Sequence, residues 1–256
     1  MPTWNSQQYL KFGAERTQPA VDLVARIALD APARAIDLGC GPGNSTAVVG
    51  RRWPDSDLTG LDSSPAMLET AARDYPQWKW HQGDIGSWQA DAAYDLVFSN
   101  AALQWVPDHA RVFPHLLDQV SSGGALAVQM PANLDSPPQR IIRELAADQA
   151  WRSSFPLSLR DWHVEPAEFY YDALSQRATR TELWYTDYQQ VVQNVDAIVE
   201  WYRGTGLRPW LDALADDSAR ARFLDDYRRR LVPHFPARAD GRVLFPFRRL
   251  FLIAYR

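Results

Sequence analysis

Asp37-Leu38-Gly39-Cys40-Gly41-Pro42-Gly43 sets an acid two residues ahead of three glycines spaced Gly-x-Gly-x-Gly, directly after the apolar run Ala35-Ile36. Glycines at this spacing let the backbone take positive φ and approach a ligand closely. A carboxylate at Asp37 repels a pyrophosphate but suits a cationic amino acid or ordered water. The spacing also differs from the Gly-x-Gly-x-x-Gly of nicotinamide and flavin sites. The chemistry indicated is a nucleoside ligand without a pyrophosphate, and so S-adenosylmethionine. The same turn also reads as a plain β–α connection whose glycines serve packing.

Three further polar groups follow in order. Asp62 ends the apolar stretch Leu58-Thr59-Gly60-Leu61 and has the reach to accept both hydroxyls of a ribose. It also reads as a helix N-cap, although Ser64 competes for that role. Gln82-Gly83-Asp84-Ile85 offers an acid and a backbone N–H for an adenine edge, with Ile85 as an apolar face, and equally suits an ordinary turn. Ser99-Asn100 precedes Ala101-Ala102-Leu103-Gln104-Trp105. Asn100 is placed to bond an amino-acid end, and Trp105 either walls the reacting centre or packs a helix on the sheet.

Elements must position these groups. Residues 5–30 read as helix, with Val21, Leu23, Val24 and Ile27 on one face. Strands are expected at 34–38, 58–62, 78–82, 94–99 and 125–130, the last after a break at Gly123-Gly124. Helices are expected over 44–52, from Ser64-Pro65 onward, and over 109–119. Strands alternating with helices imply a doubly covered parallel sheet, with right-handed crossovers gathering the strand ends on one rim. Beyond Met130 the pattern reads as helix over 136–176, strand over 181–186 and helix over 196–231. Strand returns at 242–245 and 249–254, with a bend at Pro246.

Bulk properties narrow the class. A chain of 256 residues with net charge −4 and no basic stripe argues against nucleic acid. The single cysteine, Cys40, excludes an internal disulfide and suits a reducing compartment. No leader pattern and no long apolar run is evident, so the expectation is a cytoplasmic protein with no membrane partner. The five histidines show no metal-ligand spacing, and no Gly-x-Ser-x-Gly elbow or phosphate-binding Gly-Lys-Ser/Thr occurs.

The set Asp37 to Gly43, Asp62 to Leu68, Gly83-Asp84-Ile85 and Phe98-Ser99-Asn100 resembles the class I S-adenosylmethionine-dependent methyltransferases over residues 30–130. That resemblance implies a Rossmann-like seven-stranded α/β sheet, mostly parallel with an antiparallel last strand. It also implies cofactor contacts from Asp37, Gly39, Gly41, Gly43, Asp62, Ser63, Met67, Asp84, Ile85 and Asn100. A narrower resemblance runs through Trp4-Asn5, Glu15-Arg16-Thr17, Leu103-Gln104-Trp105, Val128 to Asn133, Tyr170-Tyr171 and Gly204 to Pro209. It is to carboxyl methyltransferases acting on a small tricarboxylic acid. It implies one methyltransferase domain over 1–256, a cofactor core at about 30–130, and helical caps at about 1–20, 134–176 and 188–240.

A carboxylate acceptor has a pKa of about 4 and is already ionised at neutral pH, so no general base is required. None is evident, and the expected mechanism is positioning alone. Arginines should grip the non-reacting carboxylates, and Arg16, Arg203 and Arg208 are the candidates. Tyr9, Trp105, Tyr171 and Trp201 are candidates for lining the acceptor cavity. Each arginine also reads as a solvated charge or a structural ion pair. A methyltransferase for another acid, hydroxyl or amine, or a cofactor-binding regulator without turnover, remains an alternative.

Overall fold

A computed structural model describes residues 13–155 and 162–256, with side chains in the first segment from Thr17 onward. Helix α1 spans Gly13–Arg26. Strand β1 (Arg34–Leu38) leads through the glycine turn into α2 (Asn44–Arg52). Next come β2 (Asp57–Asp62), α3 (Pro65–Asp74), β3 (Lys79–Gln82) and β4 (Tyr94–Asn100). A short 3-10 turn, Leu103–Trp105, precedes α4 (His109–Asp118) and β5 (Val120–Pro131). Helices α5 (Pro137–Ala147) and α6 (Ala167–Leu174) then lead to β6 (Arg180–Val192). The chain closes with α7 (Val195–Arg203), α8 (Arg208–Ala213), α9 (Asp217–Leu231) and β7 (Val243–Tyr255).

The seven strands lie in the order β3-β2-β1-β4-β5-β7-β6. Pairings among the first five are parallel, and β7 runs antiparallel to β5. The strand order reverses on either side of β1, which is where open α/β sheets hold their ligands. Central strands are continuous apolar runs because both faces are covered. Ile36, Leu96, Val97, Phe98, Leu126 and Val128 are all at most 1% exposed. Each such side chain stabilises the fold by about 1.5–3 kcal/mol.

Local chemistry explains several boundaries. Pro65 begins α3, where the lost N–H would have had no helical partner. Asn194 and Asp216 cap α7 and α9 by accepting from Ala197 N at 3.1 Å and Ala219 N at 2.7 Å. Ser64 occupies the cap position of α3, but its hydroxyl makes no cap bond.

Several expected boundaries shift. Gly123-Gly124 is not a break before β5, because the strand begins at Val120 and passes through both glycines. Gly123 takes φ +81°, and the β4–β5 register slips between Tyr94/Val120 and Leu96/Ala125. The pair therefore makes a bulge rather than a stop. The last strand is continuous through Pro246, which precedes the first β5-paired residue, Arg249, so its missing N–H costs that ladder nothing. Strand β6 is longer than expected, and the block at 136–176 resolves into α5, a short turn and α6 among the described residues.

The described residues fall into two compact units, one of 13–131, 162–186 and 249–256, the other of 132–155 and 187–248. No described helix is long and apolar enough to cross a membrane.

Candidate functional site

The first unit carries the cofactor candidates on the rim formed by the C-terminal ends of the parallel strands. Register pairs Leu38 with Leu61, Asp62 with Gln82 and Asn100 with Gln129, so these ends lie side by side.

Asp37 is fully buried. Its Oδ2 accepts from Ser45 Oγ at 2.6 Å and Thr46 Oγ1 at 2.7 Å, both from the first turn of α2. Its Oδ1 has no hydrogen-bond partner. Burial pushes its carboxyl up to about 6, against the opposing pull of the two hydroxyls. A buried acceptor left unsatisfied is costly, and an ammonium or water placed there relieves it.

The three turn glycines do different things. All have positive φ: 75° at Gly39, 53° at Gly41 and 92° at Gly43. A Cβ on Gly39 would overlap the Cβ of Ala102 and meet Ile85 Cδ1 at 3.3 Å. A Cβ on Gly43 would meet Tyr75 at 2.8 Å and Trp80 at 3.0 Å. At the positions their side chains would take, those two glycines admit protein neighbours. Only Gly41 has nothing within 4 Å of where its Cβ would stand. The open space over the turn is therefore at Gly41.

Asp62 closes the turn from the next strand. Its Oδ2 accepts from Gly41 N at 2.9 Å, and its Oδ1 accepts from Ser64 N at 2.8 Å. Burial raises its pKa, while backbone N–H groups of Ser64, Gly41 and Ser63 oppose the rise. Asp62 is thus the brace of the glycine turn, a role not foreseen, and each oxygen retains a lone pair for a ribose hydroxyl. Met67 is buried in α3, while Ser63 is exposed. Asp84 is exposed and accepts from Gly86 N at 2.8 Å, closing its own turn. Ile85 is buried and reaches the glycine turn at Gly39. The structure therefore brings Asp37, Gly41, Asp62 and Ile85 to one place. These groups fit a nucleoside carrying a cationic amino acid, with an unsatisfied acid and open backbone above Gly41.

Asn100 ends β4, and its buried Oδ1 has no partner. The next residue, Ala101, takes φ 55°, a strained choice for a residue with a side chain. Its N–H donates to Gln129 O at 2.9 Å, and its carbonyl accepts from Gln104 Nε2 at 2.8 Å. Trp105 meets Trp162 edge to face at 5.9 Å. Below this loop, buried His109 bonds Leu103 O through Nε2 at 3.0 Å and Tyr170 Oη through Nδ1 at 2.7 Å. Nε2 must donate to the carbonyl, so Nδ1 accepts from the tyrosine. Tyr170 also accepts from Glu165 N at 2.9 Å. Burial pulls the His109 pKa down, consistent with a neutral ring. Sequence reasoning missed this buttress, whose members are 61 residues apart.

The acceptor candidates belong to both units. Tyr9 lies outside the described residues, and Arg16 lies in the backbone of α1. Tyr171 is 52% exposed, whereas its neighbour Tyr170 is core. Trp201, Arg203 and Arg208 belong to the second unit. Trp201 is buried against Phe245 and Phe247, with ring centroids 5.9 and 5.7 Å away, so its environment is a packed aromatic cluster. Arg203 pairs with Glu200 at 3.3 Å, and Arg208 with Asp212 at 3.6 Å. Cys40 is buried and its thiol pKa is pushed up by burial, which makes it a poor nucleophile. Among the described residues no cluster of potential ligands could hold a metal ion.

The family described as "Methyltransferase domain" matches residues 35–124. A trans-aconitate 2-methyltransferase of Azoarcus sp. strain BH72 is 49% identical over 256 residues, covering 100% of both chains. One from Agrobacterium fabrum is 44% identical, with 99% of each chain covered. One from Escherichia coli is 43% identical, covering 100% of this chain and 99% of that one. Among solved structures, the YcgJ protein of Bacillus subtilis superposes with TM-score 0.59 at 15% identity, over 93% of this chain and 99% of that one. Phosphoethanolamine N-methyltransferase 2 of Haemonchus contortus, in complex with S-adenosyl-L-methionine, gives 0.57 at 14% identity, over 93% and 52%. Those likenesses show a shared fold. With the glycine turn, the braced acid of β2 and a full-length kinship well above 30% identity, this chain belongs to the trans-aconitate 2-methyltransferase family of S-adenosylmethionine-dependent methyltransferases.

Proposed function

We propose that this protein transfers a methyl group from S-adenosylmethionine to one carboxylate of trans-aconitate, giving a monomethyl ester. The observation that carries the reading is the 49% identity over the full length to a protein named for that reaction. The absence of an evident base among the rim residues supports it, because a carboxylate acceptor needs none.

S-adenosylmethionine, when bound, supplies a methyl group on a cationic sulfur. In this reading Asp37 Oδ1 and Asn100 hold the amino-acid end, and the backbone at Gly41 makes the close approach. Gly39 and Gly43 shape the turn. Asp62 takes the ribose hydroxyls, with Ser63 beside it. Met67, Asp84 and Ile85 hold the adenine. Trp105 walls the reacting centre. Arg16, Arg203 and Arg208 grip the non-reacting carboxylates, and Tyr9, Tyr171 and Trp201 complete the acceptor region. Opposite charges cancel as the methyl group moves, so a dry site favours the transition state and positioning contributes about 7–11 kcal/mol. We further propose that the chain works as one domain over 1–256. Residues of about 30–130 bind the cofactor, and the segments at about 1–20, 134–176 and 188–240 confer acid specificity.

The test is incubation with S-adenosylmethionine and a panel of di- and tricarboxylates, read by mass spectrometry. A single methyl addition, fastest on trans-aconitate, is expected. Methylation only of hydroxyl or amine acceptors, or none at all, would overturn the reading.

A further inference from the structure

The same rim continues past the cofactor residues. In β-sheets, residues paired in register stand on one face, and every second residue along a strand returns to it. Asp37 pairs with Phe98, Asn100 with Gln129, and Gln129 with Phe251. Arg249 pairs with Pro131, two residues beyond Gln129. Asp37, Asn100, Gln129 and Arg249 therefore stand on one face of four successive strands, β1, β4, β5 and β7. Ser45 and Thr46 meet Asp37 on that face, and Trp184 stacks on Phe251 there at 4.9 Å.

Two members of this row are unlike their surroundings. Gln129 is 0% exposed and interrupts the apolar run Ala125 to Met130. Arg249 is 5% exposed. Its Nη1 donates to Gln129 Oε1 at 3.2 Å. That bond orients the amide and commits its oxygen, while Gln129 Nε2 remains buried with no hydrogen-bond partner. A guanidinium keeps its charge at any working pH. The pair presents a fixed positive charge and an unsatisfied N–H donor at the end of β5, on the cofactor's face. Those are the complements of a carboxylate, which forms charge-assisted bonds to both.

We propose that Arg249 and Gln129 form a carboxylate-binding subsite of this rim. It rests on the methyl-transfer reading only for which ligands reach it. The carboxylate comes either from the amino-acid end of the cofactor or from the acceptor. Asp37 and Arg249 are three strand spacings apart, about 14 Å at about 4.8 Å per strand, so the two stand at opposite ends of the row.

Calorimetry on the full chain separates the two sources. S-adenosylhomocysteine is titrated first, and trans-aconitate is then titrated into the S-adenosylhomocysteine-loaded protein. Wild type is compared with Arg249→Gln and Gln129→Met. At least a tenfold loss of trans-aconitate affinity, with S-adenosylhomocysteine within twofold, assigns the subsite to the acceptor. The reverse pattern assigns it to the cofactor. Unchanged constants for both ligands overturn the proposal. So does a parallel loss of both with a lowered melting temperature, which marks a structural role. If Arg249→Gln does not fold, Arg249→Lys with Gln129→Met carries the same comparison. If wild type neither binds nor methylates trans-aconitate, the function proposed above fails by itself. The S-adenosylhomocysteine constants then decide the subsite, and their invariance overturns it.

Discussion

At the scale of single residues, Asp37 is where folding and binding compete. Its carboxyl is raised from 3.8 to about 6 by burial. Between those values the folded chain holds a proton that the unfolded chain has lost. This group therefore lowers stability as pH rises through that window, and its cost is constant above about pH 6. Asp37→Asn should keep or raise the melting temperature at pH 7.5, while weakening S-adenosylhomocysteine at least tenfold by calorimetry. Wild-type affinity for that ligand should fall as pH drops below about 6, because protonation removes the charge facing the ammonium. The Asn variant should show no such dependence over the same range.

The glycines give a second contrast at this scale. Gly39→Ala forces a Cβ into Ala102 at φ 75°, so a drop of several degrees in melting temperature is expected. Gly41→Ala meets no neighbour and costs only the left-handed conformation, about 1–2 kcal/mol. It should fold, yet lose cofactor affinity by more than its stability loss suggests. Equal effects of the two variants on melting and affinity would sink the division of roles.

At the scale of elements, the loop after β4 is strained at Ala101 and is held by partners from outside itself. Helix α4 supplies His109, and α6 supplies Tyr170. Tyr170→Phe leaves His109 Nδ1 and Glu165 N–H without the hydroxyl they share, at about 1–3 kcal/mol for each group left unsatisfied. Differential scanning calorimetry should show a lower melting temperature by at least several degrees. The Michaelis constant for the acid should rise as the Leu103–Trp105 turn loosens. Unchanged kinetics would show that the turn holds its shape without the buttress.

At the scale of the whole molecule, two of the arginines proposed for the acid, Arg203 and Arg208, lie in a unit distinct from that of the cofactor rim. Arg203 and Arg208 are each paired with an acid one helical turn away. Such helix pairs are worth only about 0.3–0.5 kcal/mol, so an incoming polycarboxylate can replace them. Arg208→Ala should raise the Michaelis constant for trans-aconitate at least tenfold and leave S-adenosylhomocysteine affinity within twofold. Wild-type kinetics in this variant would remove Arg208 from the acceptor site.

The alternation of strands and helices, the glycine turn and the gathering of Asp37, Asp62, Asp84 and Asn100 on one rim are legible in the sequence. Hydrophobic period, proline placement and turn chemistry are local, and right-handed crossovers leave little freedom in how such units assemble. What each rim residue touches is not local. Ala102 filling the space beside Gly39, and Tyr170 reaching His109, depend on segments far apart in the chain. Arg249 meets Gln129 across 120 residues only because β7 enters the sheet antiparallel beside β5. Gln129 is a polar residue within an apolar strand, and nothing local to it names Arg249 as its partner. A period of two tells which face a side chain takes, and only the packed sheet decides which neighbour stands beside it.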